Sequence, residues 1–333
     1  MRFGYGLITC QRYPGQNLTD ADLYREALDL AVEAEELGFD SVWTSEHHFA
    51  DDAYMPSLLP VSAAIAARTQ RVQIGTGLVL APVYDPVRLA EDAATVDLIS
   101  GGRFILGLGL GWLDWEFEAL GVTMRERVPR TVEAIETCRQ AWGDGLVERL
   151  GVSVTPKPAR PGGPPIWIGA QAEPAVRRAA AIADGWMAGE PYAEDFAEAL
   201  TWVRDELAAG GRSEGFEISG YWPVFTWDGP DAWEQVRPYL NYMEWKYGDA
   251  EGSKGRLGPL PLPPEPDADT EATLRATIIC GTPDEVAERI SVLRDLAGHD
   301  LHFVGRHYFA GMDRAVMRRA TRLFAEEVAP RFR

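Results

Sequence analysis

An α/β TIM barrel, eight parallel strands closed into a ring inside a layer of helices, is the fold class this sequence predicts. Three observations carry the expectation. Strand-like runs alternate with helix-like segments along the chain. Several of the runs are apolar on consecutive residues, as strands covered on both faces are. Eight such runs fall within 333 residues, which suits a closed barrel with insertions better than an open doubly wound sheet.

Residues 3–8 read as the first strand. Thr19 with Asp22 three positions on forms a capping box, so a helix follows. Leu23, Ala27, Leu30, Ala31, Ala34 and Leu37 recur at helical spacing, and Gly38 sits where a left-handed cap belongs. Residues 40–44 form the second strand, 60–68 a helix, and 72–80 the third strand. Asp85-Pro86 opens the next helix, Gly101-Gly102 closes it, and 104–108 is the fourth strand. A long helix over 129–142 precedes the fifth strand at 165–169. A helix over 174–183 leads to the sixth at 185–188. Residues 218–225 alternate like a seventh strand, 283–296 read as a helix, 301–304 as the eighth strand, and 313–328 as the closing helix. Residues 248–270, with the run Pro259-Leu260-Pro261-Leu262-Pro263-Pro264, are too rich in Pro and Gly for an element. A long loop is expected there, inserted before the last strand–helix unit of a single domain spanning 1–333. Loops of that length are lids or partly ordered segments beside a site, or inert insertions.

Composition narrows the partners. A hydrophobic share of 46% with 25% charged residues is that of a globular protein, and a net charge of −19 lacks the basic footprint that nucleic acid requires. No apolar run reaches the roughly 20 residues of a membrane span, and the first residues lack a basic stretch followed by an apolar core. A cytoplasmic protein with no membrane partner is expected. Cys10, Cys138 and Cys280 stand far apart with no CxxC pair, so neither a zinc site nor a disulfide framework is expected.

In a barrel, chemistry gathers just after each strand. After the second comes Ser45-Glu46-His47-His48-Phe49, a carboxylate beside two of the five histidines, a concentrated supply of acid–base groups. His47 is the expected functional imidazole and His48 the packing one. After the third and fourth strands come Gly75-Thr76-Gly77-Leu78 and Gly107-Leu108-Gly109-Leu110-Gly111-Trp112. Glycines there let backbone approach a flat ring or phosphate, or simply serve tight packing. The second run is not a dinucleotide fingerprint, because Trp112 stands where GxGxxG needs its last glycine. Between the seventh strand and the loop, Tyr221, Trp222, Phe225, Trp227, Trp233, Tyr239, Tyr242, Trp245 and Tyr247 exceed what one strand and one helix need for a core. Substrate contact is expected from this group, Trp222 and Trp227 above all.

Six blocks in order carry a family resemblance: Glu46-His47-His48-Phe49, Gly75-Thr76, Gly102-Arg103-Phe104, the 107–117 stretch, Ala183-Asp184-Gly185-Trp186 and Gly281-Thr282-Pro283-Asp284-Glu285-Val286. Together they resemble the bacterial luciferase-like flavin monooxygenases. The resemblance implies a barrel that binds reduced FMN, or in a sister branch the deazaflavin coenzyme, at the strand C-termini. It implies that His47 is the catalytic histidine, that Gly77-Leu78 is a non-proline cis peptide under the flavin ring, and that Arg127 grips the FMN phosphate. The luciferases place an arginine where this chain has Leu110, and a Glu-Ser pair where it has Gln171 and Ala172. Phosphate binding then rests on Arg127 and on the backbone of Gly169, Ala170, Gln171 and Ala172 ahead of the next helix, with Gly109 beside the ring. The implied reaction joins reduced FMN and O2 in a C4a-hydroperoxide and passes one oxygen atom to a bulky, largely apolar or aromatic small molecule. A separate flavin reductase and a homodimer belong to the same implication. Hydride transfer by a deazaflavin enzyme and a non-catalytic flavin-binding subunit are the alternatives. The chain's own His47 and glycine runs argue against the last.

Overall fold

The computed structural model describes residues 1–189, 192–212, 214–254, 256 and 258–333. Its strands are β1 (Arg2–Ile8), β2 (Ser41–Thr44), β3 (Gln73–Thr76), β4 (Val79–Leu80), β5 (Phe104–Gly109), β6 (Ile166–Gly169), β7 (Gly185–Gly189), β8 (Glu217–Thr226), β9 (Ile279–Gly281) and β10 (His302–Arg306). Eight of them form the ring in the order β10-β1-β2-β3-β5-β6-β7-β8, all parallel, and β8 closes it by pairing with β10. The predicted TIM barrel is the observed fold. β4 and β9 lie outside the ring: β4 pairs with the end of β5 and β9 with the end of β8.

The helices are α1 (Asp20–Glu36), α2 (Leu58–Arg68), α3 (Pro86–Ser100), α4 (Asp114–Ala119), α5 (Arg127–Trp142), α6 (Glu173–Ile182), α7 (Ala193–Gly210), α8 (Ala232–Gly248), α9 (Ala250–Ser253), α10 (Ala268–Thr277), α11 (Pro283–Ala297) and α12 (Arg314–Leu323). Local chemistry sets several of their ends. The Thr19–Asp22 capping box starts α1. Asp85 caps the Val87 and Arg88 amides ahead of α3, whose end is Gly101 in the left-handed region at φ +66°. Thr282 and Glu285 form a second reciprocal box at α11.

Two cores hold the barrel. Inside the ring, Leu7, Trp43, Ile105, Trp167, Met187 and Val304 are buried, with Leu78 and Tyr221 packed on them from the C-terminal end. Trp43 and Trp167 stack at 5.2 Å, and a Cβ at Gly75 would lie 2.3 Å from the Trp43 ring. That glycine is therefore a condition of the indole plug. The second core fills the space between sheet and helices; Ala90, Ala93 and Ala94 of α3 are buried in it within one chain.

Three departures from the sequence reading bear on the site. The expected strand over 72–80 breaks into β3 and β4 around Gly77-Leu78, whose peptide bond is cis. α7 and α8 stand where no element is predicted, although Phe196, Leu200, Val203 and Leu207 bury one face of α7 at helical spacing. The region 248–270 is not loop throughout, since it holds α9 and the first turn of α10; of its remaining described residues, 254, 256 and 258–267 are irregular. Its start is tied to the loop after β2. Lys246 Nζ lies 2.5 Å from Asp51, and Arg256 lies 3.2 Å from Asp51 and 2.9 Å from Asp249. Cys10, Cys138 and Cys280 are free thiols, and no helix among the described residues is long and apolar enough to cross a membrane.

Candidate active site

The strand C-termini surround a cavity of about 640 Å³, within the range of small-molecule and cofactor sites. Ser45, Glu46 and His47 enter it from the end of β2, Gly77, Leu78 and Leu80 from the β3–β4 junction, and Gly109 to Trp112 from the end of β5. Gly169 to Ala172 come from the end of β6, Gly189 from β7, and Tyr221 from β8. From outside the ring α8 adds Glu244 and Tyr247, and the first residue of α5 adds Arg127.

The two histidines each face a buried glutamate. His47 Nδ1 lies 3.1 Å from Oε1 of Glu116 on α4, and the same oxygen accepts the backbone N–H of His48 at 2.7 Å. Glu116 is fully buried, and its other oxygen has no hydrogen-bond partner. His48 Nε2 lies 3.2 Å from Oε1 of Glu46, which also accepts the Leu80 amide at 3.1 Å, while Tyr84 donates to Oε2 at 3.2 Å. Burial works against a charged His48, but the hydrogen bond and charge of Glu46, with Glu116 adding, outweigh it and leave its pKa above the usual imidazole value. Rings fence His47 edge-on: Tyr54 at 4.8 Å, Tyr247 at 5.8 Å and Trp112 at 6.4 Å. The Tyr54 hydroxyl reaches Ser45 Oγ and the Tyr247 hydroxyl, and its burial and the neighbouring Tyr247 raise its pKa far above the ordinary value.

The opposite side is built for close approach of something flat. Leu78 lies across the ends of β5 and β6. A Cβ at Gly169 would meet its Cδ1 at 2.0 Å, and one at Gly109 would meet its Cβ at 3.2 Å. Side chains at either position would drive Leu78 into the cavity, so these glycines keep its floor level. At the far end, Arg127 donates to the Gly111 carbonyl at 3.2 Å, Gln171 Nε2 donates to the Gly189 carbonyl at 3.0 Å, and Ala172 caps α6, whose N-terminus opens here. A guanidinium and a helix N-terminus that line one cavity suit an anionic group.

The sequence profile of luciferase-like monooxygenases matches residues 1–300. The chain belongs to this luciferase-like family. It is similar, at 32% identity over all of the chain and 98% of the relative, to an F420-dependent glucose-6-phosphate dehydrogenase of Microbacterium testaceum. It is also 32% identical, over 51% of the chain and 49% of the relative, to the oxygenase component of a flavin-dependent trigonelline monooxygenase of Acinetobacter baylyi. The crystal structure of monooxygenase RslO1 from Streptomyces bottropensis covers the whole of both chains at 28% identity and a TM-score of 0.84. The chain spans 49 to 63% of the length of three curated relatives it matches. Its relatives include monooxygenases, one of them named flavin-dependent, and F420-dependent dehydrogenases, and enzymes of both kinds are oxidoreductases.

Within this luciferase-like barrel, nine residues singled out from the sequence line one cavity: His47, Gly77, Leu78, Gly109, Arg127, Gly169, Ala170, Gln171 and Ala172. Trp222 and Trp227, on which substrate contact was expected, do not line it. Side chains alternate across a strand, so Tyr221 points into the barrel while Trp222 points out, stacked on Phe303 at 5.0 Å and edge-on to Phe196 at 5.4 Å. Trp227 stacks on Phe225 at 5.6 Å under the Arg319 guanidinium, and its Nε1–H is donated to Asp231. Of the ring-rich stretch, Tyr221 and Tyr247 reach the cavity instead. Glu116, Tyr54 and Trp112 also escape the sequence reading. A signal for Glu116 exists: a lone acid between Trp115 and Phe117, on a helix whose face is otherwise buried apolar surface.

Proposed function

We propose that this protein is the oxygenase of a two-component flavin monooxygenase, using reduced FMN and O2 to oxygenate a bulky, largely apolar or aromatic small molecule. The observation that carries the proposal is the pairing, across one cavity, of His47 backed by a buried carboxylate with a level floor of Leu78 and glycines. Among the described residues that line the cavity, Arg127 is the one Lys or Arg side chain. One guanidinium and one helix N-terminus match the single phosphate of FMN better than the phosphodiester and glutamate tail of the deazaflavin coenzyme.

Bound reduced FMN would supply the electrons that activate dioxygen. The chain's own part is position, proton handling and exclusion of water. Arg127 and the 169–172 backbone would hold the phosphate end, and Leu78 would support the ring. With Nδ1 committed to Glu116, His47 has Nε2 for a proton at the reacting edge. Leu80, Leu110, Trp112, Tyr221 and Tyr247 offer apolar and aromatic surface to the organic substrate and keep that edge dry.

Diffusing reduced flavin fits this chain, which lacks a GxGxxG turn and carries a net charge of −19 unfavourable to a second phosphate-rich cofactor. A reductase partner and a homodimer complete the reading. With NADH and oxidised FMN the protein alone should oxidise almost no NADH, and an unrelated flavin reductase should start oxygen consumption coupled to substrate. Rapid NADH oxidation by the chain alone overturns the two-component assignment. A second reading, hydride transfer with the deazaflavin coenzyme, is favoured by the full-length similarity to an F420-dependent dehydrogenase. Tighter binding of reduced deazaflavin than of reduced FMN, with no oxygen uptake, would select it.

A further inference from the structure

We propose that a small cavity beside His47 is a substrate subsite for an uncharged oxygen substituent, a hydroxyl or carbonyl, and that Lys246 is the residue that recognises it. The inference deepens the reading above and rests on it for calling the bound molecule a substrate. The small cavity holds about 40 Å³, room for a substituent of a few atoms but not for a second ring. His47, Trp112 and Tyr247 line both it and the main cavity, so the two spaces meet at the imidazole. A molecule held against His47 can therefore extend a short group into the smaller space.

The lining sorts what can enter. Tyr54, Trp112, Leu113, Trp115 and Ala250 make most of the wall apolar or aromatic, and beyond the two histidines its polar members are Gln11, Asp52 and Lys246. Gln11 and Asp52 are engaged with protein groups. The Gln11 amide accepts the Thr9 hydroxyl at 2.7 Å and donates to Asp52 at 2.8 Å, while the other Asp52 oxygen accepts the Tyr54 N–H at 3.3 Å. Lys246 has more to give. Its side chain is 6% exposed, and its ammonium carries three hydrogens. Asp51 accepts one at 2.5 Å, Asp249 at 3.9 Å is beyond hydrogen-bond reach, and the Trp245 ring lies 5.8 Å away. Two ammonium hydrogens thus have no acceptor among the described residues. That is costly for a buried cation, and an oxygen carried in by a ligand relieves it. Charge decides which oxygen. Asp51 and Asp249 already neutralise Lys246 and Arg256, with buried Asp52 beside them, so no positive surplus is left for a carboxylate or phosphate. The ammonium itself repels a cation, and a neutral hydroxyl or carbonyl is the group that fits.

Equilibrium dialysis of the purified protein against naphthalene, 2-naphthol and 2-naphthoate at about pH 7, where the naphthol is uncharged, tests the subsite without flavin or turnover. The parent should bind 2-naphthol roughly tenfold or more tighter than naphthalene, although water holds the naphthol better, and 2-naphthoate no tighter than naphthalene. Lys246→Met should bring naphthol and naphthalene within about threefold of each other. Ala250→Leu, which fills the small cavity and leaves Lys246 and its partners in place, should erase the preference as well. Equal binding of naphthol and naphthalene by the parent, tightest binding of naphthoate, or an unchanged preference in Ala250→Leu overturns the proposal. Should Lys246→Met fail to fold, the parent and Ala250→Leu decide it. A protein with the expected preference that consumes no oxygen with reduced FMN would refute the proposed function and leave the subsite standing.

Discussion

The molecule holds two pairs of histidines in opposite circumstances. His47 and His48, at the barrel mouth, each lie on a buried glutamate. His302 and His307, in the barrel wall, pair with no carboxylate among the described residues. His302 bonds to Ser41 Oγ at 2.6 Å between Trp43 and Trp167, and His307 packs among Tyr5, Phe39 and Phe324. Burial, helped at His302 by the charge of Arg2, pushes both wall imidazoles down to about 3. At His48 the Glu46 carboxylate turns the same side chain the other way. An imidazole becomes an acid–base group when its environment provides for its charged form, and otherwise it is polar filling.

The largest expected effect breaks the wall pair. Their folded-state pKa values lie below that of the unfolded chain, so between pH 6.5 and about 3 the unfolded state binds more protons. Their contribution is whole above pH 6.5 and falls with pH, on the order of 3 kcal/mol for each imidazole by pH 4. Urea midpoints measured from pH 7 to pH 4 should fall steeply, and His307→Phe should flatten the slope. Midpoints independent of pH across that window would remove the contrast.

His47→Ala should lower turnover about 100-fold while leaving FMN affinity within several-fold and the acid unfolding profile unchanged. Collapse of flavin binding with turnover preserved would make His47 structural, like the wall pair. Arg127→Ala should weaken FMN by about 1.5 to 3 kcal/mol and barely touch riboflavin, which lacks the phosphate. Equal weakening in titrations of both flavins would move the phosphate elsewhere.

The smallest effect sharpens the difference within the mouth pair. His48→Gln should leave turnover within a few-fold and cost about 1 to 2 kcal/mol of stability below neutral pH. Because the His48 pKa is raised in the folded state, that cost should fade as pH rises through the raised value. Full loss of turnover in a folded variant would exchange the roles of the two histidines.

Much of this molecule is written in local order. The Thr19–Asp22 box, Asp85-Pro86 and Gly101, and the apolar runs of the strands act over a few residues, and the barrel they imply is the one observed. The approach of His47 to the glycine runs was legible for the same reason, since strand ends of a parallel barrel share one face. What lay beyond reading depends on contacts between distant segments. Glu116 lies 69 positions from His47, and its place between Trp115 and Phe117 marks it for burial but names no partner until α4 packs against the loop after β2. Tyr221 and Trp222 are equally aromatic neighbours, and only the pairing of β8 with β7 and β10 turns one into the cavity and the other into the outer core. Tyr247 reaches the site because α8 folds back over the mouth, pinned by Lys246 to Asp51. Residue type and spacing determined which groups could do chemistry here; the ring closure and the long-range ion pairs decided which of them meet, because proximity across 60 to 200 residues is a property of packing and not of sequence spacing.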